Sequence, residues 1–505
     1  MPHDSVLGFL AKKDSTTDLI ALVRKKSESF WLREGERRAL ERFHRAAQTV
    51  PAYKKFLKQH SVKSADIKTI EDFACLPTTD KKNYIEKFSL KERSPGGSLA
   101  AHRIIAASSG TVGPPMLWPR GEEQETEAAA VHEFLFCDLY ELDRYPTLLV
   151  IGFPMGMYVS GVASAIPSFF AGIRHPNLTI VTAGNNKESI LGILPTLQKK
   201  YAQIILAGHP FFVKDVIETG AREGIRWSKT KVRTFFVSEG FSEEWRRYLG
   251  SKLSKIQSAR NLFSMYGSSE LLLMGYESPE SILIRSAAEK NSRFHQSIFK
   301  SARTPSLFHY NPALRYIENS RKGNLLFTAW SGIPLIRFDL HDAGRVITRS
   351  EMQEALVSER IRLRKDLKKC GWRPWNLPYV ALFGRSDYTL VFYAANIYPE
   401  HIHAALNSKE FLKKITGKFS MEKKYTPSMD ERLIIHVELQ ERQRGSGNLQ
   451  TEIKKKVVDA LERVNMEYRF LRHNLDKDLV PKVALHPYRD SEYFKAGVKP
   501  RYIIS

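Results

Sequence analysis

Ser108-Ser109-Gly110-Thr111-Val112-Gly113 packs three hydroxyls and two glycines into six residues. Glycine permits backbone angles that a side chain forbids, so such a loop can turn several N–H groups toward one centre. The hydroxyls add further donors. The chemistry this serves is the cradling of an anion, a phosphate above all. No Gly-Lys-Ser/Thr follows, which excludes a Walker loop. On local composition alone an ordinary polar turn competes.

Four later segments carry further candidates. Ser264-Met265-Tyr266-Gly267-Ser268-Ser269-Glu270 joins an aromatic ring, two hydroxyls and a carboxylate around a glycine turn. A ring can stack on a flat base, and a carboxylate can hold Mg²⁺ beside phosphates. In Ile336 to Arg345, Asp342 stands just before the small-residue pair Ala343-Gly344, where a carboxylate can accept both hydroxyls of a ribose. A surface ion pair with Arg345 competes there. Phe383-Gly384-Arg385-Ser386-Asp387 reads as a polar joint, either passive linker or hinge. Near the end, aromatics flank Lys495 and Lys499 on a small-residue turn.

The elements that must position these residues alternate. Glu28 to Thr49 has helical spacing of Leu32, Leu40, Phe43 and Ala47. Thr79 or Asp80 can cap a helix that follows Pro77. Strands are expected at 104–107, 147–153, 204–207 and 232–237, and helices at 122–139, 189–200, 211–223 and from Phe241. This is an α/β pattern with largely parallel sheets flanked by helices. Three strands end at Ser108, Gly208 and Ser238. Ligands of open α/β sheets sit outside the carboxyl ends of strands, so the cradle, His209 and Glu239 can share one crevice. His209, before Pro210, reads equally as a turn residue. Beyond Asp387 the tail reads as a small α+β unit.

The whole chain sets bounds. Its 505 residues call for two or more domains. Cys75, Cys137 and Cys370 have no paired spacing, which argues against a disulfide framework and a cysteine zinc site and fits a reducing cytoplasm. The net charge of +23 attracts polyanions, but it recurs as short runs such as Lys54-Lys55, Lys81-Lys82, Lys199-Lys200 and Lys454 to Lys456. These read as solvated basic surface, and no nucleic-acid-binding motif accompanies them. Tyr145 to Ile173 has no charged residue and could span a bilayer by length. Its prolines and glycines fit a strand, a turn and a buried helix better, so no transmembrane segment is expected.

Taken in order, these segments resemble the adenylate-forming (acyl-CoA synthetase) superfamily, and within it the phenylacetate–CoA ligase-like branch. The resemblance runs from about Ala47 to Ile503. Ser108 to Pro115 is similar to the SSGTTGxP phosphate loop, Tyr266 to Glu270 to YGxTE, and Arg337 to Arg345 to RYRTGDLGR. Gly384 to Asp387 is similar to the GRxD hinge, Asn396 to Glu400 to the segment after it, and Gly497 to Arg501 to the terminal motif with the catalytic lysine. Departures are Val112 and Ser269 for threonines, Met116 for a lysine common in relatives, His341 for glycine and Tyr388 for a second hinge aspartate.

The resemblance implies a large N-terminal domain, 1–386, that binds ATP and the acid. It also implies a small mobile α+β C-terminal domain, 387–505, with the lysine. Ser108, Ser109, Gly110, Thr111 and Gly113 would hold the ATP phosphates. Ser238, Glu239, Gly240 and Tyr266 would line the base, with Gly267, Ser268, Ser269 and Arg385 in the same nucleotide site. Asp342 would hold the ribose, and Glu270 would bind Mg²⁺ and take part in catalysis. Asp387 would be the hinge. Lys499 would be the catalytic lysine, with Lys495 and Lys482 as alternatives. Phe153, Met157, His209 and Phe211 would line the acid pocket.

The implied activity makes an acyl-adenylate from a carboxylic acid, aryl or apolar, and ATP, releases pyrophosphate, and transfers the acyl group to coenzyme A. Transfer to a carrier protein or an amine is one alternative. A degenerate ligase fold binding nucleic acid or an anionic surface is another. The expected setting is cytoplasmic, a homodimer is compatible with it, and nucleic acid is not an expected partner.

Overall fold

The computed structural model describes residues 15–100, 102–108, 116–253, 258–301, 304–385, 389–406, 411, 413–475, 478–490, 492–494 and 502–504. Two compact units divide it: the residues up to Ser108 and Leu117–Gly384 form the first, and Met116 with the residues from Arg385 onward forms the second.

The first unit opens with helices, including Glu28–Thr49, whose cap is Ser27. Pro51 follows the helix and takes the N1 position of the next one, Pro51–Gln59, where its missing N–H costs nothing. A two-stranded piece, β1 (His102–Ala107) and β2 (Leu117–Gly121), stands apart from the main sheet. The Ala107 N–H donates to Met157 O at 2.7 Å, which ties the end of β1 to the start of the helix Val159–Arg174.

The main sheet is built from β3 (Thr147–Ile151), β4 (Leu178–Val181), β5 (Gln203–Gly208), β6 (Lys231–Val237), β7 (Leu262–Ser268), β8 (Leu272–Tyr276), β9 (Ser306–His309), β10 (Tyr316–Asn319), β11 (Asn324–Ala329), β12 (Leu335–Ile347) and β13 (Tyr379–Arg385). Their order is β10-β11-β12-β13-β9-β8-β7-β6-β5-β3-β4. The run from β4 through β3, β5 and β6 to β7 is parallel. β3 and β5 are buried at every position, as strands covered on both faces must be. From β7 onward the pairings β7–β8, β8–β9 and β9–β13 are antiparallel, as are β10–β11 and β11–β12.

A buried charge network fixes the base of the β7–β8 hairpin. Arg246 donates to Glu243 at 2.9 Å and to Glu277 at 2.6 Å, and Glu277 accepts from the Ser264 N–H at 2.7 Å. The core beside it gathers Phe134, Tyr276, Trp372 and Trp375. Both indole N–H groups of that pair donate to Asp138, which also holds Arg24 at 2.6 Å.

The second unit holds the hairpin β14 (Leu390–Phe392) and β15 (Ala395–Ile397), with a four-stranded sheet ordered β18-β17-β16-β19. Those strands are β16 (Ile415–Tyr425), β17 (Glu431–Leu439), β18 (Lys482–His486) and β19 (Ile503–Ile504). The helices Pro399–Leu406, Gly447–Val464 and Met466–Asn474 complete this α+β unit.

Two expectations change. The uncharged stretch 145–173 does form a strand and a helix, and among the described residues no helix is long and apolar enough to cross a membrane. That helix is not wholly buried, however: Phe169, Phe170 and Ile173 face solvent. The basic runs at 54–55, 199–200 and 454–456 are exposed, and Lys81 alone of the Lys81-Lys82 pair turns toward a buried partner.

Gly332 shows how tightly the β1–β2 piece seats on the unit. A Cβ there would collide with the Pro119 backbone, while the Gly332 N–H donates to Gln124 Oε1 at 3.0 Å. Backbone cannot move aside as a side chain can. Gly332→Ala is therefore expected to destabilise the protein by at least about 1–3 kcal/mol, read as a lower urea midpoint.

Candidate active site

Tyr266 and Asp342 meet. Tyr266 lies on β7, and a bulge between Tyr266 and Gly267 interrupts the pairing with β8. A Cβ at Gly267 would lie 3.1 Å from Leu272 O, so glycine allows this close approach. The Tyr266 ring stacks on Phe308, with centroids 5.7 Å apart, and meets Phe327 edge-on. Its hydroxyl donates to Asp342 Oδ2 at 2.5 Å. Both residues are buried, so this bond is made in a low-dielectric setting.

Asp342 does not precede a turn. β12 runs unbroken through Ala343 and Gly344 to Ile347. The small residues serve packing, because a Cβ at Gly344 would lie 2.5 Å from the Leu325 side chain and 2.8 Å from Ala381 O. Nor is Asp342 in a surface pair with Arg345, which instead binds Ile298 O and Glu351. The strand is locally distorted around the site, with left-handed φ of 46° at Arg337 and 61° at His341.

Glu270 sits in the connection from β7 to β8, 5% exposed, and pairs with Lys81 Nζ at 2.7 Å. Burial pushes its carboxyl pKa up. Lys81, the residue's own backbone N–H and Ser268 outweigh that and hold it below the ordinary value of 4.5. Lys81 was not legible as a site residue; it looked like one more surface lysine. The segment before it explains its placement. The Thr79 N–H donates to Arg337 O at 3.2 Å, its hydroxyl donates to Ile336 O at 2.9 Å, and Asp339 N–H donates to Thr79 O at 2.7 Å. Asp80, rather than Thr79, caps the turn Lys81–Ile85 by reciprocal bonds with Asn83. So β12 carries Asp342 and also anchors the segment that delivers Lys81.

The carboxyl ends of β5 and β6 bring the other candidates alongside. The parallel register pairs Gly208 with Phe236 and Val237 with Met265. Ser238 follows β6 with φ 84°, a left-handed conformation rare outside glycine. Glu239 is buried, and a Cβ at Gly240 would lie 2.9 Å from Ser306 Oγ. His209 precedes the helix Pro210–Arg222 and meets the buried Phe153 ring edge-on, with centroids 5.5 Å apart. Burial lowers its pKa to about 4 despite a hydrogen bond with the Val237 backbone, so the imidazole is neutral at physiological pH. Met157 is exposed, and its carbonyl holds β1. Ser108 closes β1, Ser269 lies in the β7–β8 connection, and Arg385 ends β13. Lys482 opens β18 on the surface of the second unit. Ser109, Gly110, Thr111, Gly113, Asp387, Lys495 and Lys499 lie outside the described residues, as does the Phe211 side chain.

No protein-family model matches the sequence, and no curated protein does. Solved structures do. A 2-hydroxyisobutyryl-CoA ligase in complex with 2-HIB-AMP and CoA in the thioesterification state superposes with a TM-score of 0.65 at 14% identity, over 96% of this chain and 91% of that one. The same ligase in the postadenylation state with R3-HIB-AMP gives 0.54 at 15% identity, over 96% and 91%. Its open conformation with 2-HIB-AMP and CoA gives 0.52 at 15% identity, over 93% and 91%. The chain has the adenylate-forming fold. At this identity the likeness is one of fold, and the chemistry has to be argued from the residues.

Two substitutions test the site without any ligand. Lys81→Met leaves Glu270 buried without its cation, so it is expected to cost about 1–3 kcal/mol at pH 7. A depressed carboxylate pKa stabilises the wild type above the unfolded pKa, and this contribution is lost as pH falls through the folded value. In the variant burial acts unopposed by Lys81 and the Glu270 pKa rises. The gap between the two denaturation midpoints should therefore narrow as pH falls from 7 toward about 4. Tyr266→Phe removes the donor from a buried carboxyl group and is expected to cost about 1–3 kcal/mol by the same measurement.

Proposed function

We propose that this protein is an AMP-forming acid–thiol ligase of the phenylacetate–CoA ligase-like kind, which adenylates a carboxylic acid with ATP and passes the acyl group to coenzyme A. The observation that carries the reading is the Tyr266–Asp342 contact. On this fold it puts an aromatic face and a buried carboxylate side by side at the carboxyl edge of the sheet. One suits a base, the other a ribose.

In this reading Tyr266, with the Ser238-Glu239-Gly240 backbone, receives the adenine and Asp342 accepts from the ribose hydroxyls. Ser108 to Gly113 receive the phosphates. Glu270 would offer a hard-oxygen donor of the kind Mg²⁺ takes from a protein beside substrate phosphates. Bound there, the ion would supply neutralisation of phosphate charge. Lys81 positions Glu270 and adds positive charge beside it, and the resemblance implies a lysine at the position Met116 holds.

An acid oxygen attacks the α-phosphorus and the bond to pyrophosphate breaks. Lys499 supports the charge that develops at that centre. The C-terminal domain, 387–505, then rotates about Asp387, withdrawing Lys499 and admitting the thiol. Sulfur attacks the acyl carbon, AMP leaves with the oxygen it gained from the acid, and the thiol proton passes to solvent. Phe153 and the neutral His209 favour an aryl or apolar acid, because neither offers a charge to a polar tail.

Acid-dependent exchange of labelled pyrophosphate into ATP tests this across a panel of aryl and aliphatic acids. Asp342→Asn is expected to raise the KM for ATP about 10-fold, and Glu270→Gln to lower the exchange rate about 100-fold, roughly 1.4 and 2.7 kcal/mol. Exchange with no acid, or unchanged exchange in both variants, would overturn the assignment.

A further inference from the structure

The helix Glu122–Asp138 ends at a group of metal-ligating side chains that the nucleotide chemistry does not use. Cys137 lies in its last turn, Asp143 in the connection to β3, and His175 caps the helix Val159–Arg174. Their ligand atoms form a small triangle. His175 Nδ1 is 3.0 Å from Asp143 Oδ1, Cys137 Sγ is 3.8 Å from the same oxygen, and Sγ faces the imidazole 3.9 Å from Nδ1 and 3.7 Å from Nε2. Bonds of about 2.0–2.3 Å to one central ion require separations of this size between ligands.

We propose that Cys137, Asp143 and His175 form a binding site for a thiophilic divalent cation, zinc(II) by its donor set, that clamps the ends of the two helices together. One thiolate, one imidazole and one carboxylate suit zinc and disfavour the hard cations calcium and magnesium. Solvent completes the fourth position, and the exposed Asp143 side chain provides the way in.

The surroundings fit. His175 Nε2 lies 2.7 Å from Glu133 Oε1, and Glu133 is buried with its other oxygen on Arg174. A carboxylate on the second ring nitrogen fixes the tautomer and orientation that a ligating imidazole needs. The two connecting loops are also stitched together. Asn177 Nδ2 donates to Leu142 O at 3.2 Å, and the Thr147 N–H donates to Asn177 O at 2.7 Å. Binding expels the Cys137 thiol proton and the Nδ1 proton to solvent, so affinity rises with pH.

This site is separate from the nucleotide site. It lies where β3 and β4 begin, whereas Gly208, Ser238 and Ser268 lie where the neighbouring parallel strands end. Five residues of β3 put about 17 Å between the two edges of the sheet. The pairing rule that argues against a cysteine zinc site concerns clustered cysteines; here one thiol joins two other ligand types across 38 residues of chain.

The full-length protein, stripped with chelator under reducing conditions, tests this by titration with Co²⁺ and then Zn²⁺. The expected result is a thiolate-to-cobalt charge-transfer band that saturates at one equivalent, is displaced by Zn²⁺, survives Cys75→Ser and disappears in Cys137→Ser. Glu133→Gln should weaken binding about 10–100-fold. Should Cys137→Ser fail to fold, Asp143→Ala alters only an exposed side chain and should weaken binding at least about 10-fold by the same band. No saturable band, or one unaffected by Cys137→Ser or Asp143→Ala, would show instead that Cys137, Asp143 and His175 form a metal-free hydrogen-bonded cluster.

Discussion

A carboxylate taken out of water must find a cation or a donor, and two such groups organise this molecule. Glu270 and Asp342 are both buried at the carboxyl edge of the main sheet. Each draws in a partner from a distant part of the chain. Glu270 takes Lys81, and Asp342 takes the Tyr266 hydroxyl. Satisfying them draws together the 79–81 segment, β7 and β12. Thr79 completes the arrangement by bonding its backbone to β12 on both sides of Phe338. Site geometry and the stability of the first unit are thus set by the same contacts.

The sheet divides the chemistry by polarity. Its parallel run directs the ends of β5, β6 and β7 to one edge, where the backbone is also unusual: Ser238 is left-handed and β7 is bulged at Gly267. Strained backbone persists only where the surroundings over-determine it. Here the surroundings are the antiparallel strands β8 and β9, which brace β7 from its other side and supply Phe308 beneath Tyr266. The opposite edge gathers Cys137, Asp143 and His175 and is held by different loops.

Much of this was legible in the sequence because the signals are local. β5 is an apolar run with polar ends, β6 closes on the apolar run Phe235-Phe236-Val237, and the helix Glu28–Thr49 shows its stop, although the face it buries carries Trp31, Ala39 and Phe43 and leaves Leu32 and Leu40 half-buried. Tyr266, Glu270 and Asp342 could be singled out because each is a reactive side chain in a small-residue setting. What escaped depends on distant partners. Lys81 is one lysine among many until Glu270 is placed beside it. Ala343-Gly344 looks like a turn, because sequence does not distinguish glycine needed for bending from glycine needed to clear Leu325. The antiparallel direction of the strands from β8 onward stayed hidden, since strand direction is set by connections and not by composition. Cys137, Asp143 and His175 meet only because two helices end together.

The central claim is that an acid oxygen becomes bonded to the α-phosphorus of ATP on this protein. Transfer of ¹⁸O measures that bond directly. The full-length protein would be incubated with ATP, Mg²⁺, coenzyme A and a pool of ¹⁸O-labelled aryl and aliphatic acids, and the AMP analysed by mass spectrometry. AMP is expected to carry one acid-derived ¹⁸O, and Glu270→Gln to form that labelled AMP about 100-fold more slowly. Unlabelled AMP, or ADP in place of AMP, would contradict the claim.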